Sequence, residues 1–258
     1  MKTIALTASV ALFGSLSLLC GQTANPKAPQ PKSQKELDAL QAMFTAYQNQ
    51  NWDGVITSSK ELVTKFADSE FKATAFQMSA ESYRNKGDAE NAIINAEQAL
   101  ATDGKYYAAM ILIAGIQAQR TREFDLDKEE KLGKADKMAN DALGILKTAP
   151  KLNPGIADDQ WEQVKKSYAS QAYEALGMAA MVRKKYDVCV DNLKLSLDAP
   201  MTDPATLVRL ASCLKEQKKY DEALASLDKA LADPQAAPII KQAATQEKMT
   251  INKLKSAQ

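Results

Sequence analysis

At 258 residues the chain is long enough for one sizeable core, or for one solenoid with flanking segments. Lys and Arg total 33 against 32 Asp and Glu, a net charge of +1, so no global field points to nucleic acid or to an anionic membrane. Histidine is absent and aromatics are 6%, which removes His-based acid–base chemistry and the commonest metal ligand, and leaves a composition that favours helix.

The N-terminus reads as an export signal over residues 1–24. Lys2 supplies the basic start, and Ile4 to Leu19 carries no charge yet falls short of the roughly 20 residues that span a bilayer. Two processing routes stand side by side. Ordinary cleavage follows Gly21 or Ala24; alternatively Ser17-Leu18-Leu19-Cys20-Gly21 resembles a bacterial lipoprotein signal, with Cys20 the lipidated residue, although Leu19 is larger than that pattern wants. Either route implies an exported protein, periplasmic or associated with the outer membrane, with secretion as the alternative. Residues 25–35 carry Pro26, Pro29 and Pro31 without apolar periodicity and are expected to be an extended linker.

Paired helices follow. The segment 36–69 places Ala39, Ala42, Met43 and Ala46 on a first helix, then continues Trp52-Asp53-Gly54-Val55. In 73–106, Phe76, Ala80 and Tyr83 recur at helical spacing. Gly87-Asp88 breaks that helix, and Ala92, Ala96 and Ala99-Leu100 share one face of the next. The unit 108–150 offers Ile111, Ala114-Gly115 and Ala118, then Ala135, Ala139 and Ala142-Leu143. If Gly115 takes the place of Ala80, the turn carries an insertion of 8 residues, (135 − 115) − (92 − 80). That charged stretch, from Arg120 to Glu130, has Phe124 and Leu126 as its apolar points, and these are expected to pack on their own repeats. The unit 158–203 has a first helix lengthened upstream from Asp158-Asp159-Gln160-Trp161. The aspartates suit its N-terminal cap and first turn. In 204–237, Pro204 opens a helix carrying Leu207, Leu210-Ala211 and Leu214. Lys185-Tyr186-Asp187 with Cys189, and Lys219-Tyr220-Asp221 with Ala223, repeat one pattern 34 residues apart (220 − 186). Residues 238–256 read as a capping helix.

A period of 34, with Leu176-Gly177 preceded by Tyr173, with Ala80 and Tyr83, and with Ala92, resembles the tetratricopeptide repeat, whose motif runs W-x2-L-G-x2-Y, then A-x3-F, then P. The resemblance covers roughly residues 36–256. It implies an all-α, right-handed helical solenoid of about five helix-turn-helix repeats with a C-terminal capping helix. It also implies a protein–protein interaction scaffold that holds a peptide or helix on a concave face lined by first helices.

Counting along those helices, the inward, non-core positions are expected to be Leu40, Phe44, Tyr47, Gln77, Glu81, Arg84, Leu112, Ile116, Glu174, Met178, Val208 and Ser212. Some family members grip a terminal carboxylate with Lys and Asn in the first repeat; Leu40 and Phe44 stand there instead, so that clamp is not expected. No nucleophile elbow, phosphate loop or dinucleotide fingerprint is present. The expectation is therefore no enzyme, no cofactor, no metal, no nucleic acid and no small-molecule substrate. The partner is expected to be a protein or peptide, with membrane contact through the possible lipid anchor alone. Cys189 and Cys213 would sit on neighbouring helices where a disulfide is permitted, but two separate small buried side chains are the favoured expectation.

Overall fold

A computed structural model describes residues 29–151, 155–200 and 203–256. The export signal, Cys20 and most of the linker lie outside the described residues. Among those described, the chain is all-helical, with α1 (Gln34–Gln48), α2 (Trp52–Lys65), α3 (Lys72–Asn85), α4 (Ala89–Thr102), α5 (Tyr107–Arg120), α6 (Lys128–Leu146), α7 (Asp158–Val182), α8 (Tyr186–Ser196), α9 (Pro204–Glu216), α10 (Tyr220–Ala232) and α11 (Pro238–Ser256). Each helix packs against the next, and α3, α5, α7, α9 and α11 also touch in succession. That is the stacking of a helical solenoid, the fold class expected from the repeats.

The turn inside each pair explains much of the sequence. Gln50, Gly87, Lys184 and Lys218 all have positive φ, between 54° and 82°. Each stands two residues before its second helix. At all four the left-handed residue lets the next N–H reach back across the turn: Asn51 to the Ala46 carbonyl, Asp88 to Tyr83, Lys185 to Ala180 and Lys219 to Leu214, at 2.9–3.0 Å. This hydrogen bond satisfies a carbonyl that the helix end would otherwise leave unpaired. A residue with a Cβ is strained there by about 1 kcal/mol, and three repeats carry that strain. Lys184→Gly and Lys218→Gly are each expected to stabilise the chain by up to about 1 kcal/mol, and Gly87→Ala to destabilise it by a similar amount, all measurable by urea denaturation. On the far side of the turn, Asn51 and Asp88 cap α2 and α4 through the N–H groups of Gly54 and Asn91. Asp203 likewise accepts from Ala205 ahead of Pro204. At α7 the cap position falls on Ala157, which makes no side-chain bond, and Asp158 and Asp159 occupy the first turn.

The core is a chain of clusters, each shared between neighbouring helices. The small second-helix residues Val55, Ala92, Ala135, Cys189 and Ala223 are at most 1% exposed. They let paired helices approach closely. Gly177 shows how closely: a Cβ there would lie 2.5 Å from Leu193 Cδ2. In α5 Ala114 is fully buried, while a Cβ on Gly115 would meet nothing within 4 Å. The expectation that Gly115 takes the place of Ala80 is therefore corrected.

Two further expectations change. Cys189 and Cys213 are not separate side chains but form a disulfide, with Cα atoms 6.4 Å apart. It joins α8 to α9, and so one repeat to the next. Phe124 and Leu126 do not pack on their repeats; they are 87% and 107% exposed. Ion pairs hold the insertion instead, Glu123 with Lys184 at 2.6 Å and Arg183 with Glu129 and Asp136 at 2.8 Å. The alternating charges outweigh the two apolar side chains because α6 extends back to Lys128 and leaves only a short loop, whose acids reach the α7–α8 turn. The end of the linker is also fixed: the Gln30 N–H donates to Glu70 at 3.1 Å, and Lys32 pairs with Asp68 at 3.0 Å. No described helix is long and apolar enough to cross a membrane.

Candidate functional site on the first-helix face

The first helices of successive repeats stand side by side, and polar side chains tie them together one repeat apart. The Tyr47 hydroxyl of α1 donates to Glu81 of α3. Glu174 of α7 accepts from Thr206 at 2.8 Å and from Arg209 at 2.6 Å, both on α9. Glu247 of α11 accepts from Ser212 at 3.0 Å and pairs with Lys215 at 2.9 Å. Burial pushes the Glu174 carboxyl above the usual carboxylate range, while Arg209 and the Thr206 hydroxyl oppose that shift. Four expected groove residues, Tyr47, Glu81, Glu174 and Ser212, thus join one repeat to the next.

The middle of this face is partly filled by the chain itself. α7 is 25 residues long where α9 has 13, and its extra N-terminal turns lie along α5. Trp161 is buried and its ring N–H donates to the Ala149 carbonyl at 3.3 Å. Tyr168 meets Tyr107 edge-on with ring centres 5.0 Å apart. Burial raises the Tyr106 phenol to about 12 and pushes Tyr107 and Tyr168 well above their ordinary value, so all three remain protonated at neutral pH.

What stays open is a cleft walled by Gln77, Glu81 and Arg84 of α3, by Ile111 and Leu112 of α5, and by Val164, Ser167, Tyr168 and Gln171 of α7. Gln77 gives its Nε2 hydrogen to Glu81 at 3.0 Å. Its Oε1 has no partner although the residue is 5% exposed. One turn on from Glu81, Arg84 is exposed.

The list of inward, non-core positions is corrected accordingly. Leu40, Phe44, Leu112 and Ile116 are 2–8% exposed and belong to the core. The first two pack with Val55, Leu62 and Met78, the other two with Ala80 and Ala96. Gln77 is equally buried, and both it and Leu112 border the cleft. Met178 is half-buried against the α5–α7 cluster, and Val208 against the cluster that runs from α7 to α11. The physical reason is that a first helix packs on two sides, against its own second helix and against the neighbouring repeat, leaving a narrow free strip. Leu40→Asp or Phe44→Asp would therefore place a charge in the core and disrupt the first repeat instead of probing a groove. The cleft brings together Gln77, Glu81, Arg84 and Leu112 from the expected set. Val164, Ser167, Tyr168 and Gln171 were missed; the long run from Asp158 onward was the available signal, but its inward face was not read. Among the described residues no group of three or more His, Cys, Asp or Glu is placed to hold a metal ion.

No protein-family model matches the sequence, and no curated protein sequence matches it. Solved structures do. A thermophilic tetratricopeptide-repeat protein of Thermus thermophilus aligns over 82% of this chain and 98% of its own, with a TM-score of 0.56 at 17% identity. An assembly chaperone of RpL4 aligns over 86% and 98%, with a TM-score of 0.47 at 10% identity. The tetratricopeptide-repeat domain of P58(IPK) aligns over 86% and 66%, with a TM-score of 0.37 at 11% identity. The likeness to the Thermus protein shows the fold: this chain is a TPR-like helical solenoid.

Proposed function

We propose that the chain is a non-catalytic interaction scaffold of the bacterial cell envelope, and that its first-helix face takes an extended segment or short helix of a partner protein between α3, α5 and α7. The observation that carries this reading is the cleft itself. It is walled by three successive repeats and sets the polar side chains of Gln77, Glu81 and Arg84 beside the apolar Ile111, Leu112 and Val164. A peptide segment offers backbone donors and acceptors to the first set and side chains to the second. The Cys189–Cys213 bond supports the exported location, because disulfides persist in oxidising compartments. A lipid-anchored component of an outer-membrane assembly is the alternative, resting on Cys20. The mass of the mature N-terminus decides between them, an unmodified start at Gln22 or Asn25 excluding the anchor.

The test of the groove is site-specific photo-crosslinking in the native envelope. A photo-reactive residue at Val164 or Gln171 is expected to yield one discrete adduct, identifiable by mass spectrometry. The same residue at Asn140, exposed on α6, is expected to yield none of it. Equal capture from both positions would defeat the assignment.

A further inference from the structure

The cleft carries charge information beyond its shape. Both Glu81 oxygens accept hydrogen bonds, one from the Tyr47 hydroxyl and one from Gln77 Nε2, and both donors are neutral. Among the described residues no ion pair reaches Glu81, although eighteen others form across the molecule. Arg84, one helical turn on, lines the same cleft but forms no ion pair with Glu81. Glu81 also fixes its neighbour: an acceptor there obliges Gln77 to present its NH2 and so to turn Oε1 away, where it lies buried without a donor. A half-buried carboxylate outside every ion pair therefore stands on one wall of the cleft, and it asks for a donor carrying positive charge.

We propose that this cleft is a pocket for the side-chain ammonium of a lysine in the partner segment, with Glu81 as its counter-charge and Gln77 as the residue that holds the Glu81 carboxylate in place. The proposal rests on the scaffold reading above and specifies the ligand chemistry of the same site. A lysine ammonium is a compact cation on a flexible stem and suits a single recessed carboxylate, whereas a guanidinium favours two free oxygens, and both Glu81 oxygens already accept. Exposure rises along α3 from Gln77 through Glu81 to Arg84, so the Arg84 charge at the rim disfavours a cation there and confines it to the inner end. At the rim, Arg84 is placed to receive a backbone carbonyl or an acidic side chain of the same segment.

The test uses the full chain and a random dodecapeptide library, followed by synthetic copies of the enriched peptides. Enriched sequences are expected to share a lysine at one position, and replacing it with norleucine is expected to weaken binding at least tenfold. Glu81→Gln, which keeps the size and both hydrogen-bond positions, should abolish the preference for lysine over norleucine. Gln77→Leu, which removes the amide that holds the carboxylate, should reduce it. Enrichment of peptides lacking lysine, or a lysine preference that survives Glu81→Gln, overturns the lysine pocket and leaves the groove standing. Failure to enrich any peptide overturns both.

Discussion

Gly177→Ala is expected to lower stability by about 1–2 kcal/mol, against the usual direction of a glycine-to-alanine change inside a helix. Alanine at such a site gains about 1 kcal/mol of helix propensity. Here the new methyl would lie 2.5 Å from Leu193 Cδ2, 2.7 Å from Leu193 Cγ and 3.5 Å from the Cys189 carbonyl oxygen. Leu193 is fully buried and has nowhere to swing, so α7 and α8 must separate, and overpacking of this kind costs about 1–3 kcal/mol. Leu193→Ala alone should cost about 2–5 kcal/mol through the cavity it leaves. The cause is identified by the double variant: on the Leu193→Ala background, Gly177→Ala should cost nothing or recover some stability, as its methyl enters the vacated space. An undiminished loss on that background would show that the clash is not the reason. Gly115→Ala is the control. Nothing stands within 4 Å of its Cβ position, so it should gain about 0.5–1 kcal/mol.

Removal of the Cys189–Cys213 bond is expected to have the largest effect. The bond spans a sequence separation of 24, and closing a loop of that size in the unfolded chain corresponds to about 3.5 kcal/mol. Both cysteines are fully buried, so the native protein should resist mild reductants. Reduction during unfolding, or replacement of both cysteines by alanine, should lower the urea midpoint. Because a solenoid is stabilised by neighbour contacts, the loss should be confined to one end: amide exchange should accelerate in α9, α10 and α11 while α1–α4 stay protected. A double alanine variant with the same midpoint as the oxidised chain would show that the bond is not formed in solution.

Residue types placed at fixed offsets marked most helix ends and pair boundaries. Gly87-Asp88, Asn51 and Asp203-Pro204 stop or start helices because of what their own backbones and short side chains can do, and such local chemistry is readable from one sequence. Lys184 and Lys218 show where local chemistry stops being readable: their backbone is left-handed, a conformation the residue type does not announce. The cleft was legible in half. Gln77, Glu81 and Arg84 follow from helical spacing along α3. Its opposite wall comes from an extension of α7 whose docking against α5 depends on Tyr168 finding Tyr107 far along the chain. Leu40 and Phe44 were misplaced for a related reason: a helical period shows that a face is apolar but not whether a neighbour covers it.

Taken by itself, the sequence determined the repeating unit. Apolar periodicity, small residues at the close approaches and helix-breaking turns are local, and in a solenoid every repeat solves the same local problem. Tertiary structure alone decided what remains free on the face between repeats. A side chain becomes core, inter-repeat tie or binding group according to what the adjacent helix places against it. That assignment buried Leu112 and Ile116, tied Tyr47 to Glu81, joined Cys189 to Cys213, and left Gln77 Oε1 without a donor.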